Sequence, residues 1–361
     1  MLTIENILAE MDRLGASDVI VTAGTPPQLR VLGSLQPMGD APLTAADTER
    51  ICLSMLTPEQ ATELRTNRSL DLSRSFPNLP RFRFNLFHQR DAMGLVARLI
   101  ASRIPSFDEL GLPPVIRDMA LRPHGLILVT GPAGSGKSTT LAAMIDYVNE
   151  RRGSHIVCIE DPIEFLHHHK RSVVEQREVG QDAHSFSGAL RDVFRQSPDI
   201  IMIGEMRDLE TMQLALTLAE TGHLILATLH TQDTVHAINR MVDVFPPAQQ
   251  QQVYTQLSMV LSAVITQALL VSSDGRRRLL AYEVMNVTPA IRNLIREMQL
   301  QQIHAVIQTG RADHMITMND TLKQLVQDGH ITSDVAMARS PRPKELARML
   351  EHVPRQGGPR R

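Results

Sequence analysis

The sequence has no tryptophan, only 3% aromatic residues, two cysteines and no excess of either charge. Each shortage excludes something. With so few aromatics, Leu, Ile, Val, Ala and 18 Met must fill the interior. Cys52 and Cys158 lie far apart and form no CxxC pair, so neither a disulfide framework nor a zinc ribbon is indicated, and a reduced cytosol fits best. Lys and Arg number 37 against 39 Asp and Glu, a formal charge of −2. No overall basic excess therefore argues for nucleic acid or a membrane surface, although a local patch stays open. The longest apolar runs, 125–130 and 224–229, are strand-sized, whereas a bilayer span needs about 20 residues. Membrane association is expected only through a partner. The start, Met1-Leu-Thr-Ile-Glu-Asn, lacks the basic and apolar regions of a signal peptide.

What is present is length and pattern. A chain of 361 residues suggests two domains, since single cores rarely grow beyond about 250–300 residues. Residues 1–100 read as a mixed α/β domain. Helices are expected at 4–14, 44–55 and 58–65, and strands at 19–22, 28–32, 82–88 and 93–99. In 82–88, Phe82, Phe84 and Leu86 alternate with Arg83 and Asn85, a half-buried strand. Residues 101–114 hold Pro105, Gly111, Pro113 and Pro114 and read as the linker. The remainder, 115–361, opens with strands at 125–130, 155–160, 200–203 and 224–229 alternating with helices at 137–150, 187–196 and 209–220. That alternation implies a parallel sheet covered on both faces. From Thr234 onward a mainly helical chain is expected, ending in a disordered tail at 354–361.

The most specific motif is GPAGSGKS from Gly131 to Ser138, a full GxxxxGK[ST] between a predicted strand and a predicted helix. Its glycines let backbone N–H groups curl around phosphate, and the helix N-terminus favours the anion. Gly131, Ala133, Gly134, Ser135, Gly136, Lys137, Ser138 and Thr139 are the candidate nucleotide-binding residues. Lys137 is expected on the terminal phosphates and the Ser138 hydroxyl on Mg²⁺.

Carboxylates follow. Asp199-Ile-Ile-Met-Ile-Gly-Glu205 resembles a Walker B strand with Gly204 where many ATPases carry Asp. Alone, Glu205 reads equally as an exposed strand-end acid. Beside the phosphate loop it is the candidate that orients or deprotonates the attacking water. Glu160, Asp161 and Glu164 lie in IEDPIE, which reads either as acids holding Mg²⁺ through water or as a solvated Asp-Pro turn. Asp199 and Asp208 suit turns and caps. His230 ends the 224–229 strand on the nucleotide side, where it could sense the γ-phosphate, and His223 precedes that strand. The run His167-His168-His169 reads as solvated rather than as a metal site. Triphosphate cleavage recurrently uses an extra arginine. Of Arg81, Arg83, Arg90 and Arg98, Arg83 and Arg98 lie in expected strands and are held; exposed strand arginines are the alternative.

The set GPAGSGKSTT, CIEDPIEF, DIIMIGEMRDLET and TGHLILATLHT resembles the Walker A, Asp box, Walker B and His box of type II/IV secretion ATPases. The segment AIRNLIRE, from Ala290 to Glu297, resembles the motif of pilus retraction ATPases, and the likeness covers nearly the whole chain. It implies a PAS-like domain at 1–100, a RecA-like domain within 115–361 with C-terminal helices, and a cytoplasmic homohexamer with ATP between the two domains. It further implies action on an integral inner-membrane platform protein that extracts pilin from the fibre. By that likeness Glu205 is the catalytic acid, Arg83 and Arg98 are arginine fingers, and Glu160, Asp161 and Glu164 serve metal or water. The chain departs at 17–21, which lacks the usual His, at Ala133 and at Gln232-Asp233. The alternatives are an assembly or secretion ATPase, a catalytically idle nucleotide-binding regulator, and a nucleic-acid motor.

Overall fold

The computed structural model describes residues 2–31, 34–100 and 103–351. Two compact units result, one of Met1–Arg103 with Pro162–Leu166, the other of Ile104–Asp161 with His167–Arg361. The expected disordered tail, 354–361, lies outside the described residues, as do Leu32 of an expected strand and Ala101 and Ser102 of the expected linker.

The first unit is a six-stranded antiparallel sheet. Its strands are β1 (Asp18–Val21), β2 (Gln28–Val31), β3 (Ser34–Pro37), β4 (Ser69–Ser75), β5 (Arg81–Gln89) and β6 (Ala92–Leu99), in the order β3-β2-β1-β6-β5-β4. Phe82, Phe84 and Leu86 of β5 are fully buried, as their alternation requires. Arg90 and Asp91 turn β5 into β6 with φ of 44° and 59°, the left-handed pair a two-residue hairpin needs. The helix Ile4–Arg13 starts at Thr3, whose hydroxyl and the Asn6 side chain form a reciprocal cap, and it buries Ile4, Ile7, Leu8 and Met11. Strand β4 was not foreseen. Only Leu70 and Leu72 mark it, among polar residues, and pairing with β5 supplies the rest of its stability.

The second unit carries seven strands: β7 (Gly125–Thr130), β8 (His155–Glu160), β9 (Val173–Glu178), β10 (Ile200–Ile203), β11 (Leu224–Leu229), β12 (Leu261–Val271) and β13 (Arg278–Asn286). The order is β13-β12-β7-β11-β10-β8-β9, and only β13 runs antiparallel. Every residue of β7 is buried. Leu126 and Leu128 pack with Met212, Leu216 and Ile238 on one face, and Ile127 and Val129 with Leu141, Met144 and Ile145 on the other. One period-2 strand thus feeds two helical layers. Within the stretch read as linker, Phe107 and Leu112 are buried in this unit's core, and Phe107 meets Tyr147 edge-on at 5.1 Å.

The chain after Thr234 is mainly helical, as expected, but the unforeseen strands β12 and β13 interrupt it. The helix Pro247–Val260 passes directly into β12, where Leu261 turns to φ −64°, ψ 123°. The run LSAVITQALLV is buried almost throughout, and its polar Ser262, Thr266 and Gln267 show no alternation of two, so it carries no period to mark a strand. Its Val264, Ile265 and Thr266 and the following Asp274-Gly275 were the available strand and turn signals. Expected helices at the C-terminus are present, including Pro289–Arg296 and Met318–Gln327.

Candidate nucleotide site

The glycine-rich loop leaves the carboxyl end of β7, and the helix Lys137–Arg151 leaves the loop. Gly131, Gly134 and Gly136 have φ of 143°, 73° and 89°. At Gly131 space demands glycine as well: a Cβ there would lie 2.3 Å from the Gln267 carbonyl and 2.6 Å from Ser135 Oγ. The loop is therefore closed against β12, the strand missing from the sequence reading. Thr130 and Thr266 join hydroxyls at 2.8 Å, and Gln267 Nε2 donates to Thr140 Oγ1 at 2.8 Å. Ala133 and Gly134 are exposed on the loop, and Ser138 and Thr139 lie half-buried in the helix's first turn.

Lys137 is buried; its ammonium donates to the carbonyls of Gly131 at 3.0 Å and Pro132 at 3.1 Å. It also reaches His230 Nδ1 at 3.4 Å. An ammonium has no lone pair, so Nδ1 accepts and Nε2 carries the ring hydrogen. Nε2 points at Glu205 Oε1, 3.1 Å away. His230 thus bridges the lysine of the phosphate loop and the acid after β10. These groups meet because β7, β11 and β10 are neighbours in that order.

Glu205 has a second partner, Arg207, whose Nη2 donates to Oε2 at 2.7 Å. Partial burial pushes the Glu205 carboxyl up, but Arg207 and His230 together outweigh this and hold it below its ordinary value. Arg207 is raised in turn, chiefly by Glu205, with Asp161 adding to it. Asp161 therefore shares this electrostatic neighbourhood. Asp208 caps the next helix, as expected, accepting from the Thr211 N–H. Arg207 was the partner sequence reasoning missed, although its spacing of two from Glu205 was visible.

Gly204 has a local reason. A Cβ there would stand 3.3 Å from Glu160 Cα and from the Ile159 carbonyl, so β10 and β8 approach too closely for an easy side chain. Glu160 is buried at the end of β8 and accepts from Gln176 Nε2 at 2.9 Å. Glu164 is exposed and belongs to the segment grouped with the first unit. Asp199 accepts from the His155 backbone N–H at 2.8 Å, which ties the starts of β8 and β10 together rather than closing a turn. His223 Nδ1 faces the Leu218 carbonyl and the Thr221 hydroxyl.

The reading of 167–169 as a solvated run is corrected at His167. Burial pushes its imidazole down to about 4, against a smaller opposing pull from Asp146. Its Nδ1 is buried without a hydrogen-bond partner. His169 Nδ1 accepts from the Val174 N–H at 3.1 Å. Among the described residues no group of three His, Cys, Asp or Glu could hold a metal.

In the first unit, Arg83 and Arg98 are directly opposed across β5 and β6. Like charges in register repel, and each has an acid: Asp71 stands 3.8 Å from Arg83, and Asp18 Oδ1 accepts from Arg98 Nε at 2.7 Å. Asp18 is buried and Arg98 is 69% exposed, so the guanidinium is tethered at its base and open at its tip.

Polar atoms around the loop fit a polar ligand. Ser135 Oγ, Thr231 Oγ1 and Gln267 Oε1 are buried with no hydrogen-bond partner, a costly condition unless something else supplies one.

Residues 92–329 match the type II/IV secretion system protein family. The chain belongs to that family. Within the type II/IV secretion system proteins it is 44% identical over 343 residues to the type IV pilus retraction ATPase PilT of Pseudomonas aeruginosa, covering 95% of this chain and 99% of that protein. It is 44% identical over 314 residues to a twitching motility protein of Neisseria gonorrhoeae, covering 87% and 84%. The crystal structure of the pilus retraction motor PilT with bound ADP superposes with a TM-score of 0.91 at 47% identity, over 97% of this chain and all of that one. The mixed α/β architecture with a parallel core sheet is the one this family shares. The AIRNLIRE segment forms the helix Pro289–Arg296, which buries Ile291 and Ile295. Arg292 donates to the carbonyls of Ser258 and Met259, closing the end of the helix Pro247–Val260.

Proposed function

We propose that this chain is a motor ATPase that hydrolyses ATP to retract type IV pili and so drives twitching motility. The observation that carries the reading is the Lys137–His230–Glu205 bridge at the carboxyl end of the parallel sheet. It joins a phosphate-binding lysine to an ionised carboxylate, the two parts that phosphoryl transfer to water requires. The near full-length likeness to a retraction ATPase, and to a retraction motor crystallised with ADP, supports the pilus assignment.

In this reading the backbone N–H groups of 131–136 and the Lys137 ammonium hold the terminal phosphates, and the unpartnered Ser135 hydroxyl gains an acceptor. Glu205 starts as a carboxylate. From there it orients the attacking water and takes up its proton. His230 reports between phosphate and water sites. Ser138 and Asp161 offer the hard oxygen donors that suit Mg²⁺; bound there, the ion would neutralise charge between the β- and γ-phosphates. Arg83 and Arg98 are proposed to complete that neutralisation, with Glu160 and Glu164 helping with metal or water. We keep 1–100 as a PAS-like domain, 101–114 as linker and 115–361 as the RecA-like domain. A homohexamer acting in the cytoplasm on an inner-membrane platform protein completes the proposal. No helix among the described residues is long and apolar enough to cross a membrane.

The test is Mg-ATP hydrolysis by the purified protein beside Lys137→Ala, together with pilus retraction in a deletion strain complemented by each. Turnover abolished by the substitution and retraction restored only by the wild type are expected. Near-normal hydrolysis by Lys137→Ala would refute the site, and hydrolysis without restored retraction would refute the pilus role.

A further inference from the structure

A buried acid outside the nucleotide site is positioned to act through it. Glu283 lies in the middle of β13 and is 3% exposed. Its Oε1 accepts from both the backbone N–H of Thr234, at 3.1 Å, and the Thr234 hydroxyl, at 2.8 Å. Its Oε2 faces the backbone N–H of Met318 at 3.3 Å. Thr234 and Met318 are the first residues of the helices Thr234–Asp243 and Met318–Gln327. One carboxylate thus satisfies the opening N–H groups of two helices and meets the positive end of each dipole. On the same strand pair, Thr266 stands in register with Glu283 and ties by its hydroxyl to Thr130, the residue before the phosphate loop. Only residues 231–233 separate His230 from Thr234.

We propose that Glu283 is a positioning residue for hydrolysis. It pins the helix Thr234–Asp243 to β13, and so sets the height at which His230 meets Lys137 and Glu205, while coupling that loop to the C-terminal helix Met318–Gln327. The inference rests on the reading of Glu205 and His230 as part of the hydrolytic site. The geometry explains why an acid is needed. Both oxygens must accept, from three donors on two elements. A Gln keeps the shape but turns an N–H₂ group toward one set of donors. A side chain that only filled space would tolerate that exchange with a loss of stability alone.

The experiment compares steady-state hydrolysis, nucleotide binding and thermal melting for the full-length wild type, Glu283→Gln, Glu205→Gln and the double variant. A one-ångström displacement at a reacting centre costs up to about a hundredfold, and a partial shift of His230 is expected to lower kcat about tenfold. Nucleotide affinity should stay within about twofold, because the phosphate loop itself is untouched. The double variant should fall no further than Glu205→Gln, since both act on one step. Wild-type kcat in Glu283→Gln, or losses that multiply in the double variant, would overturn the positioning role. If Glu205→Gln hydrolyses like the wild type, the hydrolytic reading itself fails, and the positioning role with it. Should Glu283→Gln not fold, Thr234→Val removes only the hydroxyl bond. A kcat lowered about threefold at unchanged KM supports the role, and an unchanged kcat overturns it.

Discussion

Replacing Glu205 by Gln separates chemistry from stability, because the two effects differ in size. The carboxylate's stabilising contacts are modest. Arg207 is 69% exposed, so its ion pair with Glu205 is screened and contributes about 0.2–1 kcal/mol. Gln can still accept from His230 Nε2, so that bond survives. For a unit of this size, 1 kcal/mol lowers the melting temperature by about 2–4 °C. Against a typical stability of about 5–15 kcal/mol such a loss leaves the protein folded. Removing a positioned acid–base group lowers rates by about 10²–10⁴, which is about 2.7–5.5 kcal/mol of barrier. The kinetic penalty therefore exceeds the stability penalty severalfold. The assay pairs steady-state phosphate release with nucleotide titration and thermal melting of the same preparation. The expected result is turnover down by at least about a hundredfold, with affinity and melting nearly unchanged. Turnover within about threefold of wild type would remove Glu205 from the chemistry, and a fall that tracks lost affinity would assign it to binding instead.

Gly131→Ala should weaken nucleotide binding about tenfold or more, since the added Cβ collides with the Gln267 carbonyl and strains a φ of 143°; calorimetric titration showing unchanged affinity would contradict the closed-loop geometry. Arg83→Ala and Arg98→Ala should each lower kcat while leaving ATP binding largely intact. Only Arg98→Ala should also lower the melting temperature, because it strips the 2.7 Å guanidinium from buried Asp18 and leaves the Ser17 hydroxyl at 2.8 Å and Arg30 at 3.7 Å. His167 gives a pH prediction. Its folded value, about 4, lies below the unfolded value of about 6.5, so its contribution is complete above the unfolded value and is lost as pH falls toward the folded one. Between pH 7.5 and 5 this should cost about 2 kcal/mol. His167→Gln should show a correspondingly shallower fall in melting temperature, and parallel curves would show that the ring is not held neutral.

Much of the site was legible because its parts are local. Glycines at positive φ, a lysine at a helix start and an acid two residues past a strand are each specified within a few residues. Alternation fixed the buried face of β5 in the same way. Legibility failed where the pattern had no period of two, as in the almost wholly buried β12, or too few apolar residues, as in β4. The His167 reading failed because the burial of a histidine is set by tertiary packing, which a run of three identical residues does not encode.

The chain's own order of residues determined the phosphate loop, the strand-end acid and the alternating α/β plan, since short-range backbone geometry and hydrophobic period encode all three. Only the tertiary structure decided that Lys137, His230 and Glu205 touch, and that Arg207 shares Glu205. That depends on sheet order, in which β7, β11 and β10 lie side by side although β8, β9 and several helices separate them along the chain. Adjacency in a parallel sheet is settled by which faces pack against which helices, a balance summed over the whole core.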